Sequence, residues 1–232
     1  YDSSTWGNNG TCANCPNLTT GMRGKAYKFD GSNDYISIPD NTEFDFTTKF
    51  SVSAWIKAQG TARYHGIVGK YASGNYLFDF ILSDGKPRLD LRNITGTADI
   101  DALCSSCSDM RNDNWYHVAA VVNSSATNTT VRIYENGLLK LTSTGNWDPR
   151  NSNASIIIGD RDVGNIPFNG SIDEVMLLDR MLSPEEINAS YSAGVWKLYH
   201  NFTGLSSGTY TYKAYVVDQA GNLNNTEQRT FI

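Results

Sequence analysis

The chain has 232 residues, 40% of them hydrophobic, and a formal net charge of −5. That length suits one large β domain, or one domain with a small partner, and either can bury a sizeable core. Acidic and basic residues are mixed along the chain with no basic stripe to neutralise phosphates, so we expect no nucleic-acid partner. No apolar run approaches the roughly 18 residues of a membrane span, so no span is predicted, and Tyr1 reads as a mature or trimmed start.

Short strands separated by turn residues dominate the chain. Alternating and β-branched runs predict strands over 25–29, 35–38, 50–56, 66–70, 76–82, 88–92, 115–122, 130–134, 138–142, 155–159 and 170–178. Ser83-Asp84-Gly85 is read as a hairpin turn, and Asn136-Gly137 as a type I′ turn, which needs positive φ at both central residues. This close spacing is typical of a sandwich or barrel.

One helix is predicted near the end of the main body. Ser183 is placed at the N-cap, Pro184 at the first helical position and Glu186 at the third, which together form a capping box. The helix is expected to end near Ser190.

Five motifs in chain order resemble the laminin-G-like (concanavalin A-like) jelly-roll family. They are GKAYKFDG (24–31), FSVSAWI (50–56), WYHVA (115–119), IYENG (133–137) and FNGSIDEV (168–175), the last followed by LSPEEI (182–187). The resemblance spans about residues 2–193 and implies an all-β, antiparallel jelly-roll β-sandwich over 1–193. Residues 2–4 resemble the segment after the family's first strand, so that strand is expected to be missing.

Residues 194–232 form a different segment. Residues 204–222 resemble the last strands of bacterial and archaeal immunoglobulin-like surface repeats, with a final strand over 227–232. Only about three of the roughly seven strands of such a sandwich are predicted. Unpaired edges are therefore expected near 27–29 and 209–217. Either a piece cut from a longer chain or strand addition from a neighbouring chain explains both incomplete ends.

Two CxxC motifs contain the four cysteines, Cys12, Cys15, Cys104 and Cys107. The gap between the motifs is far longer than the roughly 15–20 residues of a zinc ribbon, and no thioredoxin-like βαβ pattern surrounds either motif. Disulfides are favoured in an exported chain, with three connectivities open. A zinc site is the alternative.

Asn-X-Ser/Thr sequons are about twice as frequent as the composition alone would give. They predict glycosylation on an extracellular or cell-surface protein, although an Asn/Ser/Thr-rich chain also makes sequons incidentally. The acceptors are Asn9, Asn17, Asn93, Asn123, Asn128, Asn153, Asn169, Asn188, Asn201 and Asn224.

Catalysis has little support in the sequence. No Gly-x-Ser-x-Gly elbow is present, and His117 is read as a core residue rather than a base. Asp79 and Asp90 stand as single carboxylates on their strands, whereas some glycoside hydrolases with this jelly roll carry paired carboxylates on one strand. No enzymatic activity is expected.

The family resemblance implies a structural Ca²⁺ between the early FDG turn and the late IDE strand. Asp30 and Asp173 occupy the matching positions, with Asp34 as a further ligand, and oxygen ligands suit calcium. The alternative for Asp30 and Asp34 is ordinary Asx-turn hydrogen bonding.

Two functions remain for this sequence. The first is a non-catalytic structural or adhesive subunit of a cell-surface assembly, for example a filament completed by strand exchange with other copies or with neighbouring surface domains. The second is a calcium-dependent glycan-binding module of a larger adhesin or hydrolase. Exposed aromatics stack on sugars, and the loop aromatics are Tyr64, Tyr71, Tyr76 and Trp147.

Overall fold

The structure is a computed structural model that describes residues 2, 4–12, 14–72, 75–92, 98–125, 128–147, 152–161, 165–195, 204, 206–213, 215–217, 223–225 and 228–231. It divides into two compact units, residues 1–196 and 197–232. The predicted boundary was 193/194.

In the described residues of the first unit there are thirteen strands and one α-helix. The strands are β1 (Asn17–Thr20), β2 (Lys25–Asp30), β3 (Ile36–Ile38), β4 (Lys49–Ala58), β5 (Tyr64–Ala72), β6 (Asn75–Ser83), β7 (Lys86–Arg92), β8 (Ala98–Leu103), β9 (Tyr116–Ser124), β10 (Thr129–Glu135), β11 (Leu138–Gly145), β12 (Ile156–Ile158) and β13 (Asn169–Leu178). A short 3₁₀ turn covers Thr42–Phe44, and helix α1 covers Pro184–Val195.

The strands form two antiparallel sheets. One has seven strands in the order β1-β2-β13-β4-β9-β10-β11, and the other has six in the order β3-β12-β5-β6-β7-β8. Alternate side chains of both sheets meet in one apolar core that includes Phe29, Ile56, Phe78, Phe80 and Leu89. The predicted jelly-roll β-sandwich is confirmed.

Both predicted hairpin turns form, and Asn136-Gly137 has the predicted type I′ backbone. Asn136 and Gly137 have φ of 50° and 79°, and Asp84 and Gly85 have φ of 49° and 78°. Positive φ at both central residues defines the type I′ turn, which suits the twist of the flanking strands. The Asp84-Gly85 turn fixes the register of β6 against β7, on which the outer surface of the six-stranded sheet depends.

Helix α1 lies on the seven-stranded sheet, on the side away from the main core. Its capping box forms as predicted, because the Glu186 N–H donates to Ser183 Oγ (3.2 Å) and the Ser183 N–H donates to Glu186 Oε2 (2.8 Å). Ile187 packs in a small apolar cluster with Val121 and Tyr134. The helix continues five residues past the predicted end, to Val195.

The edge predicted to be open at 27–29 is paired within the chain. Strand β1 pairs with β2 from Asn17 opposite Lys28 to Thr20 opposite Lys25, and β13 pairs with the other side of β2. The expectation of an unpaired edge there is therefore wrong. Strand β1 escaped prediction because NLTT is short and polar, with little apolar alternation.

The described part of the second unit contains two small antiparallel pairs. They are β14 (Tyr210–Tyr212) with β17 (Arg229–Phe231), and β15 (Tyr215–Val217) with β16 (Leu223–Asn225). The immunoglobulin-like character of this segment stays a prediction. No helix in the part of the chain described above is long and apolar enough to cross a membrane.

Candidate functional site

A cleft of about 290 Å³ opens among three loops of the jelly roll. We call it the loop cleft. One wall is the turn after β2, at Gly31; a second is the β4–β5 connection; the third is the segment leading into β13. The lining residues are Gly31, Gln59, Gly60, Thr61, Ala62, Arg63, Tyr64, Asn165, Ile166, Pro167 and Asn169. Its volume lies just below the roughly 300 Å³ at which small-ligand sites begin.

The Gly31 wall is held by two aspartates. Asp30 Oδ1 accepts hydrogen bonds from the N–H groups of Ser32 (2.8 Å) and Asn33 (3.3 Å), as in an Asx turn. Asp34 Oδ2 accepts from the Asp30 N–H at 2.9 Å. Burial raises the pKa of Asp34, and that backbone hydrogen bond lowers it. Each carboxylate therefore already serves the turn that shapes this wall.

The β4–β5 wall is tied to the start of β13 and to the segment that precedes β9. The Gln59 N–H donates to the Asn169 carbonyl at 2.9 Å, and Gln59 Nε2 donates to Asp113 Oδ1 at 2.6 Å. Arg111 donates to the Ala62 carbonyl at 3.2 Å. The loop thus has hydrogen bonds at its beginning and in its middle, which preorganise the cleft.

A buried histidine, His65, holds part of the cleft in place. His65 is fully buried, and its ring lies edge-on to Phe168 with 5.8 Å between centroids. Burial lowers the pKa of His65, and the nearby Arg111 lowers it further, so the ring is held neutral. Its Nδ1 accepts from the Asn169 N–H at 3.4 Å, which fixes the start of β13 at the cleft.

The open face of the cleft combines one aromatic ring with polar groups. The Arg63 guanidinium lies 5.0 Å from the Tyr64 ring centroid, and its Nε is 3.5 Å from Asp84 Oδ2. The side chains of Gln59, Thr61, Asn165 and Asn169 add amides and a hydroxyl. A flat ring beside amides and a cation offers stacking and hydrogen bonds to a polyhydroxylated ligand.

The outer surface of the six-stranded sheet carries a row of carboxylates. Asp79 on β6 lies directly opposite Asp90 on β7, and Asp90 lies opposite Asp101 on β8. Their strand neighbours Phe78 and Leu91 face the core, so the carboxylates point to the other side. We call these three residues the aspartate row.

Arginines cover the aspartate row. Arg88 Nε donates to Asp90 Oδ1 at 2.7 Å, and Arg92 donates to Asp90 Oδ2 at 3.0 Å. Arg161 lies 4.5 Å from the Tyr71 ring centroid and donates to the Tyr71 hydroxyl at 3.0 Å. Its Nε is 3.6 Å from Asp79 Oδ2. Burial raises the pKa of Asp79 to about 7, against the lowering effect of Arg161.

The structure separates two of the predicted calcium ligands, Asp30 and Asp173. Asp30 lies opposite Asn169, four residues before Asp173 on β13, a separation of about 13 Å along the strand. Asp173 instead accepts from the N–H groups of Arg23 (3.0 Å) and Glu174 (2.9 Å). Within the described residues, no group of three or more His, Cys, Asp or Glu could hold a metal. Asp30 and Asp173 thus cannot share one ion, and calcium binding itself stays a prediction.

The loop aromatics have different positions. Tyr64 lines the loop cleft, whereas Tyr71 is engaged with Arg161. Trp147 is buried and donates to the Arg92 carbonyl at 3.1 Å. The side chain of Tyr76 lies outside the described residues.

The cysteines form two local disulfides, Cys12–Cys15 and Cys104–Cys107. This settles the three connectivities left open and excludes the zinc alternative, because no thiolate is left to bind metal. His117 is buried as predicted; its Nε2 is 3.4 Å from Ser190 Oγ.

Most of the sequon asparagines are on the surface. The side chains of Asn9, Asn17, Asn123, Asn128, Asn153 and Asn188 are exposed, and Asn169 is half-buried in the loop cleft. Asn93, Asn201 and the side chain of Asn224 lie outside the described residues. Glycosylation at these positions stays a prediction.

Sequence reasoning missed Gln59, Arg63 and Asn165. Each lies in a segment between two predicted strands, which was the available signal. Their convergence depends on which strand ends meet in the folded sandwich, and local patterns do not give that pairing. The sequence alone could have predicted that Asp79 lies opposite Asp90, because both are equally distant from the predicted Asp84-Gly85 turn.

Residues 30–188 match the family described as the concanavalin A-like lectin/glucanases superfamily. The chain belongs to this family. A search of the curated proteins found no match to the chain.

Solved structures with this fold include several toxin binding domains. The binding domain of Paraclostridial Mosquitocidal Protein 1 is 17% identical with a TM-score of 0.68, and the match covers 95% of this chain and 59% of that one. The botulinum neurotoxin serotype D ligand binding domain in complex with N-acetylneuraminic acid is 18% identical with a TM-score of 0.63, covering 82% and 47%. The receptor binding domain of the botulinum neurotoxin C/D mosaic serotype is 19% identical with a TM-score of 0.62, covering 82% and 48%. The chain spans about half to three-fifths of these proteins, and such identities establish the fold alone.

Proposed function

We propose that this chain is a non-catalytic, extracellular glycan-binding module that holds its ligand in the loop cleft. The observation that carries this proposal is the lining of that cleft, in which the Tyr64 ring and Arg63 guanidinium lie beside the side chains of Gln59, Asn165 and Asn169. A few fixed polar groups beside a stacking surface are the usual composition of a small-ligand site.

The chemistry of the lining favours binding over catalysis. As far as the structure describes it, the cleft is lined by no Asp, Glu or His. Glycoside hydrolysis in most families needs two carboxylates that flank the scissile bond. The lining supplies hydrogen bonds and one cation, which suit neutral sugars and sugars that carry a carboxylate.

Three further observations support an extracellular setting. Both cysteine pairs are disulfide-bonded, and disulfides persist in oxidising compartments. Six sequon asparagines have exposed side chains, as glycosylation requires. The fold neighbours are binding domains of toxins, one of them solved with N-acetylneuraminic acid.

The alternative of a filament subunit completed by strand exchange is less well supported. It rested in part on an open edge near 27–29, and β1 pairs with that edge within the chain. An adhesive role through glycan binding remains compatible with the proposal.

Glycan-array screening followed by titration calorimetry tests the proposal. The protein is made in a host without N-glycosylation, so that no glycan on Asn169 fills the cleft. We expect Tyr64→Ala to weaken binding by about tenfold or more, corresponding to about 1.4 kcal/mol. Tyr27→Ala is the matched control, because Tyr27 is an exposed tyrosine on β2 that does not line the cleft.

A chelator in the same titration tests the predicted calcium dependence. Failure of neutral and acidic glycans alike to bind at millimolar concentration would contradict the proposal, as would equal binding by the Tyr64 variant and wild type.

A further inference from the structure

Lys70 is a completely buried lysine in the six-stranded sheet. It lies on β5 between Ile156 of β12 and Phe78 of β6, and its side chain has no exposed area. Lysine is almost never fully buried unless it is paired. The partners of its ammonium therefore decide what this residue does.

Two carboxylates contact the one ammonium. Lys70 Nζ is 2.8 Å from Asp40 Oδ1 and 2.8 Å from Asp45 Oδ1, and it also donates to the Phe44 carbonyl at 3.3 Å. The Asp45 side chain is 18% exposed and that of Asp40 is 30% exposed. Asp45 is thus the more enclosed of the two.

Buried aromatic residues are the neighbours of Asp45 in the chain and of Lys70 in the sheet. Phe44 and Phe46 are buried beside Asp45 in the chain. The Phe46 ring stacks on Phe50 with 4.9 Å between centroids, and lies 6.2 Å from Phe78. Charges in such a setting lose hydration, and the ion pair recovers that loss only with excellent geometry. A reaction that removes one positive and one negative charge is favoured there.

We propose that Lys70 and Asp45 condense to an intramolecular isopeptide bond, with Asp40 as the proton carrier. Lys70 first gives one proton to the Asp40 carboxylate, which leaves Nζ as a neutral amine. The Nζ lone pair then forms a bond to Cγ of Asp45. A second proton leaves Nζ, and Asp40 delivers both protons to one carboxylate oxygen of Asp45. The bond from Cγ to that oxygen breaks, and one water molecule departs.

The step balances without any co-reactant. Nζ keeps one of its three protons, the other two leave in the water, and Asp40 ends as the carboxylate it was at the start. Amide formation is unfavourable between free molecules in water. Fixed neighbours, however, reach effective molarities of about 10⁵ M or more when well oriented, and a positioned carboxylate accelerates proton transfer.

The geometry assigns Asp45 rather than Asp40 as the bonded residue. Asp45 Oδ1 accepts a hydrogen bond from Nζ, and the preceding residue, Phe44, accepts a second one through its carbonyl. The Asp45 N–H donates to the Thr42 carbonyl at 3.2 Å and closes the 3₁₀ turn, which fixes the backbone that carries the carboxylate. The bond would join β5 to the segment that connects β3 with β4, and so link two parts of the jelly roll covalently.

The intact mass of the denatured, disulfide-reduced full chain tests the proposal. We expect a mass lower by one water molecule than the sequence requires, with no trypsin cleavage after Lys70 and a branched peptide that joins Lys70 to Asp45. The exposed ion pair of Lys57 with Asp113, at 3.2 Å, is the internal control and should stay unlinked in the same digest. A full sequence mass would overturn the proposal.

Variants test the assigned roles. Lys70→Arg keeps the cation but removes the amine nucleophile, and Asp45→Ala removes the acceptor, so both should show the full mass. Asp40→Asn should lower the cross-linked fraction at least tenfold. An unchanged fraction in the Asp40 variant, or a branch at Asp40 in wild type, would overturn the roles proposed here. The wild-type mass remains decisive where a variant does not fold.

Discussion

Asp79 and Asp90 face each other across β6 and β7, but they are held differently. Asp90 accepts hydrogen bonds from Arg88 and Arg92, whereas neither carboxylate oxygen of the fully buried Asp79 has a hydrogen-bond donor among the described residues. Its one described cation contact is Arg161 Nε at 3.6 Å. Two identical side chains on one sheet surface therefore differ in how readily they ionise.

Asp79 should make the protein less stable as pH rises. Burial raises the pKa of Asp79 from 3.8 to about 7, so the native state keeps a proton that the unfolded chain loses. Stability is then full below pH 3.8, falls between about pH 4 and 7, and levels off above. Asp79→Asn imitates the protonated carboxyl and should remove this fall. At pH 8 it should raise the free energy of unfolding, by at most roughly 4 kcal/mol.

Urea unfolding at pH 4 and pH 8 measures this effect. Asp101→Asn is the matched control, since Asp101 belongs to the same row but has a half-exposed side chain. A pH profile of Asp79→Asn that parallels wild type would contradict the prediction.

His117 should have the opposite effect in an overlapping pH range. Burial lowers the pKa of His117 from 6.5 to about 4. The unfolded chain therefore binds a proton that the native state does not bind, and stability is lost as pH falls from 6.5 to about 4. His117→Gln, which stays neutral, should remove up to roughly 3 kcal/mol of that loss.

The effects of Asp79 and His117 on stability partly cancel between about pH 4 and 6.5. A wild-type stability that changes little with pH would therefore conceal both effects. The difference in unfolding free energy between each variant and wild type, measured at half-unit intervals of pH, separates them. The two differences should have slopes of opposite sign, and slopes of the same sign would refute one assignment.

Local pattern predicted most of this fold. The alternation in FSVSAWI and the turn residues Asn136-Gly137 specify strand and turn directly, because side chains alternate and type I′ turns need positive φ. Strand β1 was missed because pairing with β2, rather than its own sequence, makes it a strand. The cleft residues and the separation of Asp30 from Asp173 depend on strand register, which is a tertiary property.

The two disulfides should contribute unequally to stability. Both close a loop of the same short length, so their effects on chain entropy are alike. Cys104 and Cys107, however, both pack in the main core, whereas Cys15 is exposed. Replacing Cys104 and Cys107 with alanine should cost about 1–3 kcal/mol more than the same change at Cys12 and Cys15.

Chemical denaturation of the two double variants measures that difference. Partial reduction gives a second measure, since thiol attack needs access, and Cys12–Cys15 should be reduced first in the native state. Equal losses of unfolding free energy in the two double variants would mean that burial of the Cys104 and Cys107 sulfurs adds nothing to stability.

Gly170 is a glycine that no other residue should replace. Its φ is 137°, and a Cβ added there would collide with the Lys57 carbonyl oxygen and lie 3.0 Å from Ala58 Cα, both in the backbone of β4. Because neither can yield without breaking the pairing of β4 with β13, we expect Gly170→Ala to cost about 3 kcal/mol or more.

Gly24→Ala is the matched control, since its φ is 69° and a Cβ there meets no described atom within 4 Å. It carries only the left-handed backbone cost of about 1–2 kcal/mol. Unfolding free energies of the two variants that agree within error would show that the approach of β4 to β13 can relax.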